Sequence, residues 1–233
     1  MMETIQSRLE GLSDEETAVI LQRFFKTGPG QYGEGDRFRG VRVPSLRKLC
    51  REFPYAGLNE AAKLLGSEWH EDRMLALLML VDRYRMADED ERGEIYLFYR
   101  SQTSRINNWD LVDLSAPNIV GRHLHGLDPG PLYRFANSES LWERRIAIVS
   151  TFHFIRQGEF DDTLAIAGLL LDDSEELIHK ATGWMLREVG KRDLSAEEAF
   201  LQEHYHRMPR VALRYAIERF PEQRRQRYLK GQV

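Results

Sequence analysis

Trp69-His70-Glu71-Asp72-Arg73-Met74-Leu75-Ala76 has a faint echo further along the chain, Leu141-Trp142-Glu143-Arg144-Arg145-Ile146-Ala147. In both, a charged opening leads into an apolar run, the pattern of a helix entering a core. Placing Arg73, Trp109, Arg144, Lys180 and Arg210 in one register gives a spacing of thirty to thirty-six residues. A unit of that length has room for two helices. That is the period of a helical solenoid, in which each hairpin buries its apolar face only against its neighbours. The register puts the notable side chains at matching places on successive second helices, which line a concave face. Trp109, Asp113, Arg145 and Trp184 are therefore expected to converge, although they lie far apart in sequence. An ordinary irregular all-α domain is the alternative.

Outward from these stretches the chain reads as helix after helix. Ser13-Asp14-Glu15-Glu16 predicts a capping box that opens a helix to about Phe25. Further boxes are expected at Asp88 to Glu91, Ser140 to Glu143, Asp173 to Glu176 and Ser195 to Glu198. Met74, Leu77, Leu78, Leu80 and Val81 form one apolar set at helical period, and Ile146, Ile148, Val149, Phe152 and Ile155 another. Phe38 to Val43 is the one candidate strand, and it is short and arginine-rich. The long segment Lys26 to Val43 carries five glycines but lacks the Gly-Lys-Ser/Thr ending of a phosphate-binding loop. It reads as a connector, with Arg37, Arg39 and Arg42 as candidate phosphate contacts. Pro44 then starts the next helix, where a missing N–H costs nothing.

Bulk properties narrow the class. A chain of 233 residues, 42% apolar and 30% charged, is a globular protein. No apolar run reaches membrane-spanning length. Met1 to Leu12 is polar and acid-bearing, unlike a signal or transit peptide. The single cysteine, Cys50, excludes an internal disulfide and a thiolate metal site, which suits a reducing cytoplasm. One domain over 1–233 and a monomer are expected. The net charge of −4 argues against a nucleic-acid partner unless charge is segregated. It is segregated. Residues 68 to 94 hold nine acids, whereas Arg207, Arg210, Arg214, Arg219, Arg224, Arg225, Arg227 and Lys230 face only Glu218 and Glu222 from 207 onward.

The chemistry concentrates in Asn107-Asn108-Trp109-Asp110-Leu111-Val112-Asp113-Leu114-Ser115-Ala116-Pro117. Asn108 is a helix cap, and Asp110 sits in the first turn, where it is expected to serve the helix dipole alone. Trp109 and Asp113 are four apart and share one face. Pro117 is expected to end the helix. Lys180, Trp184 and Arg187 repeat the theme of a tryptophan beside charge. The plain alternative is a core tryptophan beside a solvated aspartate. Nucleophilic chemistry has no support, since there is no Gly-x-Ser-x-Gly and Cys50 lacks a neighbouring histidine. The His-x-His pairs at 123/125 and 204/206 lack a carboxylate cluster, so no metal is expected.

At these residues the chain resembles the AlkD-type DNA alkylation-repair glycosylases. The resemblance runs from Gly33-Glu34-Gly35-Asp36 and Gly40-Val41-Arg42-Val43-Pro44 through Asn108-Trp109-Asp110-Leu111-Val112-Asp113 to Arg144-Arg145-Ile146-Ala147. It continues over Gly183-Trp184-Met185-Leu186-Arg187-Glu188-Val189-Gly190 and Met208-Pro209-Arg210-Val211-Ala212-Leu213-Arg214-Tyr215-Ala216. It implies a solenoid of HEAT-like repeats with double-stranded DNA in a concave basic groove. The implied activity is excision of N3- and N7-alkylated purines in base excision repair. Carried over residue by residue, Asp113, Trp109 and Trp184 approach the lesion's deoxyribose and Arg145 contacts the backbone nearby. Arg144, Lys180, Arg187, Arg210 and Arg214 are expected to add phosphate contacts. The resemblance also implies a base that stays stacked.

The physical reading agrees. A purine alkylated at N3 or N7 is cationic and already a good leaving group, so no acid is needed. Charge develops on the sugar, and an ionised Asp113 near C1′ stabilises it or positions the water. Trp109 and Trp184 offer electron-rich faces to a cationic nucleotide. No cofactor is required. A cytoplasmic location in a bacterium, with association to the nucleoid, follows as an expectation. Two further classes stay open: a DNA-structure binder without catalysis, and a protein-binding solenoid.

Overall fold

The computed structural model describes residues 4–54 and 57–233, so the first three residues of the polar opening lie outside it. The fold is all-α. Among the described residues the one pairing of extended backbone is an isolated parallel bridge between Arg37 and Trp69. Phe38 to Val43 forms no strand. Among the described residues no helix is long and apolar enough to cross a membrane.

The chain divides into two compact units, residues 1–115 and 116–233. The first holds α1 (Ile5–Gly11), α2 (Glu15–Phe24), α3 (Val43–Glu52), α4 (Leu58–Leu65), α5 (His70–Met86), α6 (Glu89–Ser101) and α7 (Trp109–Ser115). The second holds α8 (Arg122–Leu124), α9 (Gly130–Ala136), α10 (Leu141–Ser150), α11 (Phe152–Gln157), α12 (Asp161–Leu169), α13 (Glu176–Gly190), α14 (Leu194–His204), α15 (Arg210–Ala216) and α16 (Glu222–Leu229).

One helix centres each unit. In the first it is α5, packed on α3, α4, α6 and α7. Met74 to Leu80 is apolar on every side of the helix, and all of it is buried. A helix apolar all round is stable only when covered all round. Each fully buried leucine contributes about 1.5–3 kcal/mol. In the second unit α13 plays this part, packed on α10, α14 and α15. Its buried Ile178, Ala181, Met185, Leu186 and Val189 follow the helical period.

Caps explain where several helices begin. Asp88 accepts the Glu91 N–H and Ser140 the Glu143 N–H, as expected. Three expectations shift. Asp14, not Ser13, caps α2 through the Thr17 N–H at 2.7 Å. Asp193, not Ser195, caps α14 through the Ala196 N–H. Asp173 does not cap α13 in a box with Glu176; it accepts the Glu175 N–H and grips Arg144. α7 does stop at Ser115, ahead of Pro117 as expected, but helical backbone continues past it. Ala116 is itself right-handed helical, and a π-turn follows over Pro117–Gly121, with the Gly121 N–H donating to the Ala116 carbonyl at 2.9 Å. The wider ring relieves the crowding a proline imposes on a regular α-turn.

The two stretches that echo each other in sequence also open their helices alike. In the first unit Ser67 Oγ donates to Asp72 and accepts the Trp69 N–H, while Arg73 donates to the Ser67 carbonyl at 3.0 Å. In the second, Ser138 Oγ donates to Glu143 and accepts the Ser140 N–H, while Arg144 donates to the Ser138 carbonyl at 3.0 Å. The same serine-to-arginine knot therefore opens α5 and α10, at one constant offset in number.

Candidate functional site

Four consecutive charged residues, His70-Glu71-Asp72-Arg73, open α5, and all are buried at 3, 2, 2 and 4% exposure. Buried charges need partners, and the segment from Asp36 to Val41 supplies them. Glu71 accepts the backbone N–H groups of Arg39, Gly40 and Val41 at 2.8, 2.8 and 3.1 Å. Asp72 takes Arg39 in a two-point pair at 2.7 and 3.0 Å. Arg73 pairs with Asp36, and His70 Nδ1 lies 2.9 Å from Asp36 Oδ2. Gly40 is in the left-handed region, and a Cβ there would lie 2.0 Å from the Asp14 carbonyl. Only glycine lets this segment pass so close to α2. Two expectations change accordingly. Part of the acidic stretch 68 to 94 is an internal clamp, not a surface field. Arg39 is bound to Asp72, and Arg37 pairs with Glu68 at 2.6 Å, both over the Trp69 ring; Arg42 stays exposed.

The clamp reaches α7 through His70. Its Nε2 lies 2.9 Å from Asp110 Oδ2. Asp110 is thus no mere dipole residue, and that expectation is corrected. Burial by itself would lower the His70 pKa, but hydrogen bonds to Asp110 and Asp36, with their charges, outweigh it and raise it to about 9. Asp36 also resists its burial: His70 and Arg73 hold its carboxyl below the usual range. Asn108, fully buried, accepts the Trp109 N–H on Oδ1 at 2.9 Å and donates to Asp36 at 3.2 Å.

On this base stands an aromatic stack. His70 stacks on Phe38 at 4.5 Å between centroids, Phe38 on Phe25 at 5.0 Å, and Phe25 on Trp109 at 5.3 Å. Phe24 meets Trp109 edge-on at 6.0 Å and is 61% exposed. Trp109 itself is half-buried, as is Asp113 one turn later on α7. The Asp113 charge bears on the buried Tyr99 phenol, whose pKa is raised first by burial and then by that carboxylate, against a hydrogen bond with Ser115.

In the second unit Trp184 is half-buried on α13, 5.7 Å from the Phe152 ring. The Arg156 guanidinium covers Phe152 at 4.1 Å, with Arg192 at 6.0 Å. Arg145 is 5% exposed and donates to the Leu177 carbonyl at 2.6 Å. Arg144 pairs with Asp173 at 2.6 Å, Lys180 with Glu176 at 2.6 Å, and Arg187 with Glu218. Arg210 is exposed and donates to the Leu229 carbonyl; Arg214 is exposed.

A family model described as DNA alkylation repair enzyme matches residues 5–220. The chain belongs to the DNA alkylation repair enzyme family. No curated protein matches it. A solved structure described as a "predicted DNA alkylation repair enzyme from Enterococcus faecalis" is similar to it with a TM-score of 0.68. The identity is 17%, over 90% of this chain and 97% of that one, so the likeness is one of fold.

In this member of the alkylation repair family, the sequence pointed to Trp109 and Asp113 on one helix face and missed what holds them. Spacing alone assigns His70, Arg73 and Asp36 no chemical role. A signal was present. Four charged residues precede a run that must be buried on all sides, so the first turn of that helix has to be buried too.

Proposed function

We propose that this DNA alkylation repair protein is a monofunctional DNA glycosylase that releases cationic N3- and N7-alkylated purines, such as 3-methyladenine and 7-methylguanine. The observation that carries the reading is Trp109 and Asp113 together on α7: a tryptophan face fixed by a ring stack, and a carboxylate one turn away with part of its surface in solvent. The lesion's glycosidic bond breaks as positive charge grows on the sugar. A carboxylate held in place before the reaction stabilises that charge without reorganising, and electrostatic preorganisation of this kind is the largest single term in many enzymes. Trp109 and Trp184 attract the cationic nucleotide through their ring faces.

The helices within each unit are proposed to be HEAT-like repeats, and the protein to bind double-stranded DNA. The shared knot at the openings of α5 and α10 supports a repeat origin. Arg210 and Arg214 suit phosphates by exposure. Lys180 suits them because its partner Glu176 is an exposed neighbour, and such pairs are weak and exchange readily. Arg145 is oriented by the Leu177 carbonyl for the backbone nearby, while Arg144 and Arg187, tied to Asp173 and Glu218, reinforce the helices that carry these groups.

The test is incubation with methylated duplex DNA and chromatography of the released bases. Free 7-methylguanine or 3-methyladenine, with abasic sites left in an uncut strand, is expected. DNA binding without release would make the chain a non-catalytic binder; neither binding nor release would favour a protein scaffold.

A further inference from the structure

We propose that His70, as a cation bridging Asp36 and Asp110, is a positioning residue that sets Trp109 and Asp113 for base release. The inference rests on the glycosylase reading above. It starts from two equal distances: each ring nitrogen lies 2.9 Å from a carboxylate oxygen, Nδ1 from Asp36 and Nε2 from Asp110. A neutral imidazole has one N–H and one lone pair. Only the doubly protonated ring donates to both carboxylates.

The consequence falls on α7. Asp110 follows Trp109 directly and precedes Asp113 by three, so fixing it fixes the turn that carries Trp109 and leads into Asp113. Its second oxygen accepts the Leu111 N–H at 2.9 Å, which locks the carboxylate to its own helix. Asp36 holds the same turn a second time through Asn108 and the Trp109 N–H. The His70 ring also stacks on Phe38 and lies 5.0 Å from Phe25, the ring on which Trp109 rests. His70 thus restrains the tryptophan through hydrogen bonds on one side and through rings on the other.

The charges around it balance. The Asp36 segment presents one carboxylate and α7 another; α5 contributes Arg73, bound to the far oxygen of Asp36; the end of α2 and Phe38 present rings. Two cations meet two anions in a buried space. Removal of the His70 proton leaves one carboxylate against a lone pair, and Asp110, the more exposed partner, is the one free to move. The first turn of α7 then loosens, and Trp109 and Asp113 with it.

The experiment compares wild type with His70→Gln, which keeps similar size and one donor but no charge. Single-turnover release of 7-methylguanine and DNA affinity are measured between about pH 6 and 10. The wild-type rate falls as pH rises through about 9. His70→Gln is slower at neutral pH by about tenfold or more, the scale of a small misplacement, binds DNA within about twofold of wild type, and lacks the alkaline fall. A folded variant with the wild-type rate overturns the proposal. So does one that loses rate only in proportion to lost binding. If the variant does not fold, nitrogen-15 resonances of the wild-type histidines decide: both His70 nitrogens protonated at neutral pH supports the bridge, and a neutral ring there overturns it. If wild type releases no base at all, the glycosylase reading fails by itself. The positioning claim is then read from fluorine resonances of 5-fluorotryptophan-labelled protein, assigned with Trp109→Phe. A Trp109 signal that titrates in wild type but not in His70→Gln supports it, and one indifferent to both pH and substitution overturns it.

Discussion

Asp110 and Asp113 are three residues apart on one short helix, yet their surroundings divide their work. Asp110 turns inward to His70, whereas Asp113 keeps a half-open position beside Trp109. Asp110→Asn removes a charged acceptor from a buried imidazolium, and it should cost on the order of 2 kcal/mol of stability in urea unfolding. A cost below about 0.5 kcal/mol, the scale of a surface dipole residue, would contradict the clamp. His70 makes a matching prediction for pH. Its folded pKa of about 9 lies above the ordinary 6.5, so its stabilisation is complete below 6.5 and is lost as pH rises through about 9. Wild type should lose roughly 3 kcal/mol of unfolding free energy from neutral pH to about pH 10, and His70→Gln should lose much less. Parallel curves for the two proteins would contradict it.

At the scale of elements, close approach sets the sharpest constraint. Gly183 lies on α13 against α15, and a Cβ there would sit 2.3 Å from the Ala212 carbonyl and 2.6 Å from the Tyr215 Cβ. Gly183→Ala should push the two helices apart and cost about 2–4 kcal/mol, seen as a lowered melting temperature; an unchanged melting temperature would contradict the packing. Trp184 is the next residue, so the same variant should also disturb its fluorescence. Much of the element pattern was legible in the sequence. The apolar set of α5 and the caps at Asp88 and Ser140 follow from local rules, whereas the set from Ile146 to Ile155 is divided between α10 and α11. The rest depended on partners distant in sequence. Asp173 looks like a cap but is drawn to Arg144, and Phe38 to Val43 pairs with no strand because the N–H groups of Arg39, Gly40 and Val41 go to Glu71. Trp109 and Asp113 share a helix face by spacing alone. Their support by His70, Asp36 and Phe25 spans separations that periodicity does not encode.

At the scale of the molecule, an overall acidic chain is proposed to bind a polyanion. The structure eases the conflict, because Glu71, Asp72 and Asp36 are buried and paired while Arg210 and Arg214 stay exposed. About three phosphate contacts would make affinity fall by some tens-fold between roughly 50 and 200 mM salt. Salt-independent binding would count against DNA as the partner. Arg145→Ala should weaken binding more than Glu222→Ala, since Glu222 is an exposed acid paired with Arg225 on its own helix. Methylated duplex should also slow hydrogen exchange in both units, at α7 and at α13; protection confined to one unit would remove the other from the interface. The most direct test lies at Asp113. Asparagine keeps its shape and removes its charge, while ground-state binding rests mainly on phosphate contacts made elsewhere. Folded Asp113→Asn protein should therefore bind methylated DNA about as well as wild type and release 7-methylguanine on the order of a hundredfold more slowly. Release at the wild-type rate from that folded variant would contradict the account.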